Sequence, residues 1–590
     1  MGLVIRVCCG STWINISIIQ IRYRKLIIVN QVKLPVEHTE ADIRKKIIKE
    51  LELRRILKGM PDFSYKVIRR SIDARKRPDI FYIYAIVVDF SKCSDKSIES
   101  TILKKCHNKN VSLYKENKYI LRKNIVDSTR GYKCPVIVGE GPCGLFAGLV
   151  LAEAGAKPII IERGDIVDNR VEKVEKFWAT GELDAETNVQ YGEGGAGTFS
   201  DGKLNTLVKD KTGKNQFVLD TFVKYGADPQ IAYDAKPHIG TDVLRDVVAN
   251  IRNRIIECGG QVLNLCKLSG LSIEGLTLKT ITIDNMSGTE RELVVSSDAG
   301  TDEIIVLKPG ENSISVDSVI LALGHSSRDT FKLLYDNDLS IEQKNFAIGL
   351  RIQHSQKMID DSQYGKGHSQ ALPPSPYKVT NHTSNGRDVF SFCMCPGGYV
   401  VNASSKDGYT CVNGMSYSDR ASRNANSALI VAIDREDFLD DHPLAGMFLQ
   451  EKLEKTAYEL GNGKIPVQLF GDYENNIKSS SFCSIAPVFK GDTEFVNIRE
   501  ILPSTINEAI IESINKFGYT IEGFNDKDAI LAAIESRTSS PVRIKRDENL
   551  ESNIKGIFPA GEGAGYAGGI MSAAMDGIRV ADSVLRKYMS

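Results

Sequence analysis

The sequence predicts an α/β protein built on a discontinuous, doubly wound domain, with an inserted mixed α+β domain and a small N-terminal α+β domain. Two observations carry this prediction. Residues 135–165 combine an apolar strand, a glycine turn, a helix of small residues and a second apolar strand, which is how a βαβ unit begins. The last 35 residues again place a glycine-rich turn between a strand and a long helix. The end of the chain is therefore expected to complete the domain that starts near residue 135.

Five segments are expected along the 590 residues. The N-terminal domain contains an amphipathic helix at 41–56 and a β-branched and aromatic strand at 80–90. A Lys- and Asn-rich stretch with weak periodicity follows it, and a helix is predicted over 241–257, capped by Thr241 or Asp242. The predicted boundaries are 1–92 for the basic N-terminal domain, 93–132 for a connector, 133–330 for the first part of the doubly wound domain with a β-rich crossover, 331–550 for the inserted substrate domain, and 551–590 for the C-terminal part of the doubly wound domain.

Composition excludes several classes of protein. The chain is 42% hydrophobic and 25% charged, which is ordinary for a globular protein. It has no apolar run near the roughly 18 residues that a membrane helix needs, and its first residues lack the layout of a signal peptide, so we expect a cytoplasmic protein without a membrane partner. The 12 cysteines are scattered, without repeated CxxC spacing, so we expect reduced thiols and no metal site.

The net charge of zero hides an asymmetry. Residues 1–130 hold 28 Lys and Arg against 13 Asp and Glu, so the remainder of the chain carries the opposite excess. A solvated positive face is the favoured interpretation, docking of this part on its acidic neighbour comes second, and contact with nucleic acid comes third. Aromatic residues such as Tyr65, Phe81 and Tyr82 are interleaved with the basic ones.

The glycine turn in the first βαβ unit contains a motif that is typical of nucleotide binding. Gly139, Gly141 and Gly144 match GxGxxG: they favour a tight turn, backbone approach to a pyrophosphate, and close helix–strand packing. The helix N-terminus that follows offers free N–H groups to phosphates. Glu162, at the end of the next strand, is placed to accept hydrogen bonds from ribose hydroxyls. This unit predicts a bound dinucleotide and does not by itself distinguish NAD from FAD.

Two further glycine-rich segments favour FAD. The loop NVQYGEGGAGTFSDGKLNT (188–206) leaves backbone amides bare, so it can wrap a pyrophosphate and a flavin edge. In AGEGAGYAGGIMSAAMDGI (560–578), Glu562 follows a strand and can bond the ribityl chain, while Gly568 and Gly569 open a helix whose positive end favours the anionic reduced flavin.

These motifs resemble those of a family of bacterial FAD-dependent dehydrogenases that has no established substrate, in the glutathione-reductase-type superfamily and nearer its fumarate-reductase and aromatic-hydroxylase branch. The resemblance rests on the GxGPxG turn, the Glu162-Arg163-Gly164 ending and the two glycine-rich segments, and extends to SIDARK (71–76), SFCMCPGG (391–398) and NGMSYSDR (413–420). It implies bound FAD and oxidoreductase chemistry, and it brings ESRTSSPVRIKRD (535–547) near the flavin. Many flavoproteins of the superfamily carry Asp where this chain has Glu562. The predicted FAD contacts are Gly139, Gly141, Pro142, Gly144, Glu162, Arg163, Gly194, Gly195, Gly197, Thr198, Ser200, Gly324, Gly561, Glu562, Gly568, Gly569 and Ile570.

Catalytic candidates lie between the glycine-rich segments. Cys393 and Cys395 in a strand ending Pro-Gly-Gly could deliver a redox dithiol or nucleophile to the flavin, although packing as small apolar residues is the commoner role of buried cysteine. His325 and His354 are candidate proton donors and Arg351 a candidate anion clamp, each against the alternative of a structural role.

The leading hypothesis is an FAD-dependent oxidoreductase that transfers hydride between a small-molecule substrate and flavin N5. The sequence contains no second convincing strand-GxGxxG-helix, since the turn at Gly324 lacks further glycines, so NAD(P)H or another electron partner would bind transiently. Two alternatives remain open: an RNA-directed flavoprotein that holds nucleic acid through its basic N-terminal domain, and a flavin sensor without turnover.

Overall fold

The structure is a computed structural model that describes residues 4–9, 12–17, 26–95, 97–126, 132–206, 208–296, 301–438 and 440–589. The chain forms two compact units. The N-terminal unit comprises Met1–Glu116 with Tyr233–Ala235, and the main unit comprises Asn117–Ala232 with Lys236–Ser590. The mixed α/β class predicted from the sequence is confirmed.

The N-terminal unit is a four-stranded antiparallel sheet with helices. Its sheet has the strand order β4-β5-β3-β6, beside a separate β1–β2 hairpin. Alternate residues of β3 and β5, such as Val29 and Ile86, are fully buried and pack with Ile47 of α1. The elements are β1 (Val4–Cys9), β2 (Thr12–Ser17), β3 (Leu26–Pro35), α1 (Glu40–Glu50), α2 (Leu53–Ile56), β4 (Ser64–Asp73), β5 (Phe81–Asp89), α3 (Ile98–Lys105) and β6 (Val111–Tyr114).

Two expectations for this unit need correction. The single helix predicted over 41–56 is two helices, because Glu52 between them adopts a left-handed conformation with φ of 52°. The unit also continues past the expected end at residue 92, because β6 pairs with β3 and completes the sheet. The sequence of 93–132 has only weak periodicity, so it did not predict this short strand.

The main unit begins with the predicted βαβ unit. Its elements up to residue 336 are β7 (Val136–Val138), α4 (Pro142–Glu153), β8 (Ile159–Glu162), α5 (Val167–Thr180), α6 (Lys214–Lys224), α7 (Thr241–Glu257), β9 (Gln261–Asn264), β10 (Cys266–Glu274), β11 (Thr277–Asn285), β12 (Arg291–Ser296), β13 (Asp302–Leu307), β14 (Gly310–Ser315), β15 (Val319–Leu321) and α8 (Arg328–Asp336). Helix α7 has the predicted bounds, but its N-cap is Gly240, and Asp242 instead accepts hydrogen bonds from Ser418.

The remaining elements lie in residues 341–589, and the part up to residue 544 is called the inserted region below. They are β16 (Ile341–Gln343), β17 (Phe346–Ser355), α9 (Gln356–Tyr364), β18 (Thr380–His382), β19 (Asp388–Cys395), β20 (Tyr399–Asn402), β21 (Val412–Met415), β22 (Asn424–Ile433), α10 (Ala445–Leu460), β23 (Ile465–Leu469), α11 (Phe470–Glu474), β24 (Phe489–Lys490), β25 (Thr493–Phe495), α12 (Ser504–Gly518), β26 (Ile530–Glu535), β27 (Val542–Ile544), β28 (Ile557–Pro559) and α13 (Ile570–Met589).

A five-stranded parallel sheet of order β28-β15-β7-β8-β9 joins the two ends of the main unit. Strand β28 pairs in parallel with β15, and β15 pairs with β7, so the C-terminal strand lies in the sheet that residue 136 begins. Helix α13 packs closely on α4, since a Cβ added at Gly577 would lie 2.1 Å from the carbonyl oxygen of Cys143. The doubly wound sheet is thus assembled from distant parts of the chain.

A seven-stranded sheet of order β18-β19-β22-β17-β26-β23-β25 forms the centre of the inserted region. Strands β17, β22 and β26 are buried along nearly their whole length. Apolar residues of α12, including Ile510 and Ile514, belong to the same core. Across the described ranges, every helix is too short or too polar to span a lipid bilayer.

Candidate active site

A cavity of about 340 Å³ opens in the main unit where strands β7, β8 and β15 end. The carboxyl edge of a parallel sheet is the usual ligand position in doubly wound folds. Residues of the seven-stranded sheet, including Cys393 and Glu535, form another part of its wall. The cavity is therefore shared by the doubly wound sheet and the inserted region.

Most of the predicted cofactor-binding residues line this cavity. Those in the wall are Gly139, Gly141, Pro142, Glu162, Arg163, Gly195, Gly197, Ser200, Gly324, Glu562, Gly568, Gly569 and Ile570. The other four, Gly144, Gly194, Thr198 and Gly561, lie behind the wall and shape it. Gly194 donates its N–H to the carbonyl of Glu140, and Gly561 donates to Asp576.

The glycines leave room that side chains would fill. A Cβ added at Gly324, Gly568 or Gly569 would have no described atom within 4 Å, and one at Gly141 would meet only the Cα of Gly195, at 3.8 Å. Gly141 is the N-cap of α4, and Gly569 directly precedes α13, so two helix N-termini border the same space. Free N–H groups and positive dipole ends at one cavity suit an anionic, phosphate-bearing ligand.

The loop at 188–206 is held rigid by a buried arginine. Arg170 of α5 is fully buried and donates to the backbone carbonyls of Asn188, Val189, Gly192, Glu193 and Gly195 at 2.7–3.1 Å. Burial lowers the pKa of this guanidinium to about 10, so it remains charged at neutral pH. These carbonyls thus face Arg170, while Gly195 and Gly197 of the same loop line the cavity.

Glu162 and Arg163 make contacts within the protein that the sequence did not predict. The Glu162 carboxylate accepts backbone N–H bonds from Glu140, Gly164 and Gly192 at 2.9–3.0 Å, so it ties the glycine turn to the 188–206 loop. Because Glu162 also lines the cavity, its carboxylate can still accept hydrogen bonds from a ribose there, and this contact stays a prediction. The Arg163 guanidinium is paired with Asp329 and Glu186, so its charge is already neutralised.

His325 and Glu562 face each other in the cavity wall. Nδ1 of His325 lies 3.5 Å from a carboxylate oxygen of Glu562. Nε2 of His325 is buried and finds no hydrogen-bond partner within the described part of the chain. Because buried polar atoms are nearly always bonded, this nitrogen points to a ligand or ordered water.

Of the two cysteines predicted as catalytic candidates, Cys393 lines the cavity. Its carbonyl accepts hydrogen bonds from Nη1 of Arg351 and from the Cys395 thiol, each at 3.2 Å. Lys203, also in the wall, donates to the carbonyl of Met394 and pairs with Asp201 at 3.3 Å. Cys395 is fully buried behind Cys393.

The structure contradicts the expected roles of Arg351 and His354. Arg351 is fully buried and bonded to Glu535, Asn413 and Asn426, so it cannot clamp a substrate anion. His354 is equally buried, bonds the carbonyl of Phe524 at 2.8 Å, and lies outside the cavity. Burial lowers the pKa of His354 to about 4, so it is a neutral structural histidine.

Four charged residues that sequence reasoning did not single out shape the site. Lys203 and Glu535 lie in the wall, and Glu454, fully buried, binds Arg537 from behind it. Lys203 belongs to the GEGGAGTFSDGKLNT segment, and Glu535 begins the segment that the resemblance brought near the flavin. Glu454 and Arg170 lie on amphipathic helices, where no sequence signal separates a buried charge from a solvated one.

Comparison with known proteins defines the family. An uncharacterized protein of Clostridium beijerinckii is 42% identical over 567 residues, which cover 95% of this chain and 98% of that protein. Residues 345–538 match the model for "FAD-dependent protein, C-terminal domain-like", and residues 26–89 match a domain of unknown function, DUF8436. The chain therefore belongs to the family of the clostridial protein. Its residues 345–538 are similar to the C-terminal domain of FAD-dependent proteins, and FAD is the cofactor.

Solved flavoprotein structures align more distantly. A glycerol-3-phosphate dehydrogenase of Bacillus halodurans in complex with FAD has 10% identity over 78% of this chain and 66% of its own, with a TM-score of 0.33. An E. coli quinol fumarate reductase has 11% identity over 77% and 70%, with a TM-score of 0.34. A flavoprotein/dehydrogenase from Cytophaga hutchinsonii has 9% identity over 77% and 78%, with a TM-score of 0.32.

Proposed function

We propose that this protein is an FAD-dependent oxidoreductase that exchanges a hydride between a small-molecule substrate and flavin N5. One observation carries the proposal. The same cavity is lined by the glycines that are predicted to bind FAD and by polar side chains that the binding of a dinucleotide does not require. Cys393, Asn413 and Glu535 belong to this second group and come from the inserted region. Cofactor and substrate can therefore occupy adjoining parts of one space.

The residues present fit FAD. The turn from Gly139 to Pro142 and the α4 N-terminus would hold the pyrophosphate, with Glu162 facing the adenosine ribose. Glu562 would bond the ribityl chain, and the α13 N-terminus after Gly569 would lie beside the flavin pyrimidine ring. When bound, FAD supplies two-electron chemistry at N5.

Side chains of both regions would position the substrate. His325, which follows β15, offers a ring nitrogen that has no partner among the described residues, and Asn413 of the inserted region adds an amide to the same wall. The Arg537 guanidinium is bonded to Glu454, Ser326 and Ser405, so it stiffens the wall rather than offering a free charge. A fixed polar wall orients a substrate for transfer and restricts water.

Replacing Gly141 with Val is expected to abolish FAD retention while leaving the fold intact. The new Cβ has 3.8 Å to its nearest neighbour, and the backbone is in the extended region, so the protein tolerates the side chain. The added methyl groups instead fill the space where the pyrophosphate approaches. Flavin content after purification and the circular dichroism spectrum measure the two effects. Gly59→Val, at an exposed glycine with an open Cβ direction, is the control; retention of FAD by Gly141→Val would place the cofactor elsewhere.

Anaerobic mixing with candidate donors tests the oxidoreductase activity. We expect the flavin absorbance to bleach with at least one donor class, NADH and NADPH being the first to try, and to return with the complementary acceptor. A holoprotein that dithionite bleaches but no metabolite does would support the flavin-sensor alternative.

A further inference from the structure

A β-bulge turns Cys393 toward the cavity. In the ladder between β19 and β22, Phe392 pairs with Ala428 and Cys395 pairs with Asn426, so β19 carries one extra residue. Cys393 has a φ of 42°, in the left-handed region that residues with a Cβ rarely adopt. Bulges of this kind redirect a side chain next to a functional site. As a result Cys393 lines the cavity and Cys395 lies buried behind it.

Two cations hold this strained segment, the fully buried Arg351 and the half-buried Lys203. Arg351 donates to the Cys393 carbonyl at 3.2 Å and is itself fixed by Glu535 at 2.9 Å. Lys203, in the 188–206 loop, donates to the Met394 carbonyl. Cysteines that merely fill space do not require charged side chains to be buried around them, since burying a charge is costly.

The surroundings of the two sulfurs shift their pKa values in opposite directions. A hydrogen bond from the Cys395 thiol and the charges of Lys203 and Arg351 hold the pKa of Cys393 well below its usual range, against burial and Asp201. Burial and the neighbouring Cys393 sulfur raise the pKa of Cys395. Glu535 also faces Cys393, and its own charge is compensated by Arg351.

His325 gives independent evidence for a ligand at this end of the cavity. It is only 8% exposed, it lines the same wall, and its Nε2 is unpartnered among the described residues. Glu535 is close enough to interact electrostatically with both His325 and Cys393. A ligand in the cavity would therefore have both the Cys393 thiol and the His325 ring nitrogen in its wall.

We propose that Cys393 and Cys395 form a dithiol at which a disulfide substrate is reduced, an inference that rests on the proposed FAD-dependent function. The Cys393 thiolate attacks one substrate sulfur, a mixed disulfide forms, and the other substrate sulfur leaves as a thiolate. Cys395, losing its proton to that leaving thiolate, then attacks the Cys393 sulfur and releases the second substrate thiolate.

The dithiol is regenerated with two electrons from the cofactor. When bound, reduced FAD would supply two electrons and a proton, so that the Cys393–Cys395 S–S bond breaks, Cys395 regains its proton and Cys393 returns to the thiolate. An external two-electron donor of the reduced-nicotinamide class would supply the electrons to the cofactor. The second thiolate product takes its proton from solvent, which balances the overall two-electron, two-proton reduction.

Alkylation of the holoprotein with its flavin oxidised and its thiols reduced tests the thiolate without turnover. The rate of Cys393 modification by iodoacetamide, followed by peptide mass spectrometry, should have its midpoint below that of free cysteine, which is about pH 8.5. Lys203→Gln should move this midpoint upward, because it removes a facing positive charge. A midpoint at or above that of free cysteine would overturn the proposal.

Single-turnover reduction of bis(2-hydroxyethyl) disulfide tests the proposed transfer of electrons from the flavin through the two cysteines to a disulfide. After anaerobic photoreduction, we expect the wild-type flavin to reoxidise with release of two equivalents of thiol. Cys393→Ser should lose this reaction while keeping its FAD, and Cys395→Ser should accumulate a mixed disulfide visible as added mass on Cys393. Cys483→Ser, at an exposed cysteine outside the cavity, is the control.

The outcomes separate the two proposals. If Cys393→Ser reoxidises as fast as the wild type, or if the wild type does not react with the disulfide at all, the dithiol proposal is wrong. The proposed oxidoreductase function would survive either result, provided that another substrate class exchanges electrons with the flavin. A chain that retains no FAD would instead overturn the proposed function itself.

Discussion

Glu454→Gln is expected to lower the free energy of unfolding by about 3–5 kcal/mol, because it breaks a buried ionic cluster. Glu454 is fully buried on α10 and accepts hydrogen bonds from Arg328 at 2.7–2.8 Å and from Arg537 at 2.8–2.9 Å. An amide there leaves two buried guanidiniums without their counter-charge. Urea denaturation of the holoprotein, followed by tryptophan fluorescence, measures the loss.

The matched control for this prediction lies on the same helix. Glu459 is exposed and faces Lys455 at 3.9 Å, so Glu459→Gln should cost no more than about 1 kcal/mol. If Glu454→Gln were as mild as the control, the cluster would not contribute to the stability of the cavity wall.

The cluster of Glu454, Arg328 and Arg537 also predicts that the free energy of unfolding depends on pH. Burial opposes ionisation of Glu454, but the charges of Arg328 and Arg537 outweigh it and hold the pKa of this carboxyl well below its usual range. A carboxyl with a depressed folded-state pKa contributes stability above its unfolded pKa of about 4.3 and loses it as the pH falls toward the folded value. The stability difference between wild type and Glu454→Gln should therefore be largest near neutral pH and shrink below about pH 4.

Gly144→Val is expected to disrupt both the fold of the βαβ unit and FAD binding. A Cβ at this position would lie 1.9 Å from the carbonyl oxygen of Gly139 and 3.3 Å from Cγ2 of Ile137. Helix α4 would have to move away from β7, and overpacking of this kind costs about 1–3 kcal/mol or more. Thermal unfolding and flavin content measure the two effects.

Gly141→Val, three residues earlier, is the informative comparison for that variant. Both substitutions should remove FAD, but only Gly144→Val should also lower the unfolding temperature of the FAD-free protein. Equal stability of the two FAD-free variants would contradict the packing role assigned to Gly144.

Local patterns in the sequence predicted the glycine-rich elements that line the cavity, and the contacts of these elements with FAD stay a prediction. The bounds of α7, the strand-turn-helix at 136–153 and the return of the same pattern in β28 and α13 follow from glycine spacing and apolar periodicity, which are properties of neighbouring residues. The glycines that line the cavity could be identified for the same reason. Their backbone requirements are visible in the sequence itself.

The part of the cavity wall that the inserted region forms was predicted only in part, since Cys393 lies in it whereas Arg351 and His354 do not. Strand β17 is buried on both faces, so the alternation that would separate cavity-facing from core-facing residues is absent, and Arg351 and His354 were assigned to the wrong side. The bonds from Arg170 to five carbonyls and from Glu454 to two arginines join residues far apart in the chain. Such pairings depend on the three-dimensional arrangement and leave no periodic trace.

The partner of the basic N-terminal unit stays a prediction. Its sheet carries exposed Lys66 and Arg69 on β4, and Lys33 lies 3.7 Å from the ring centroid of Phe81. Steep salt dependence of RNA binding would favour the RNA-directed alternative, because phosphate contacts release counterions.

The flavin content of the purified chain tests the central claim most directly. The cavity in the main unit should hold FAD without a covalent bond, so the protein should be yellow and release FAD on denaturation, with one FAD bound per chain. A colourless protein that cannot be reconstituted with FAD would contradict the account of the site.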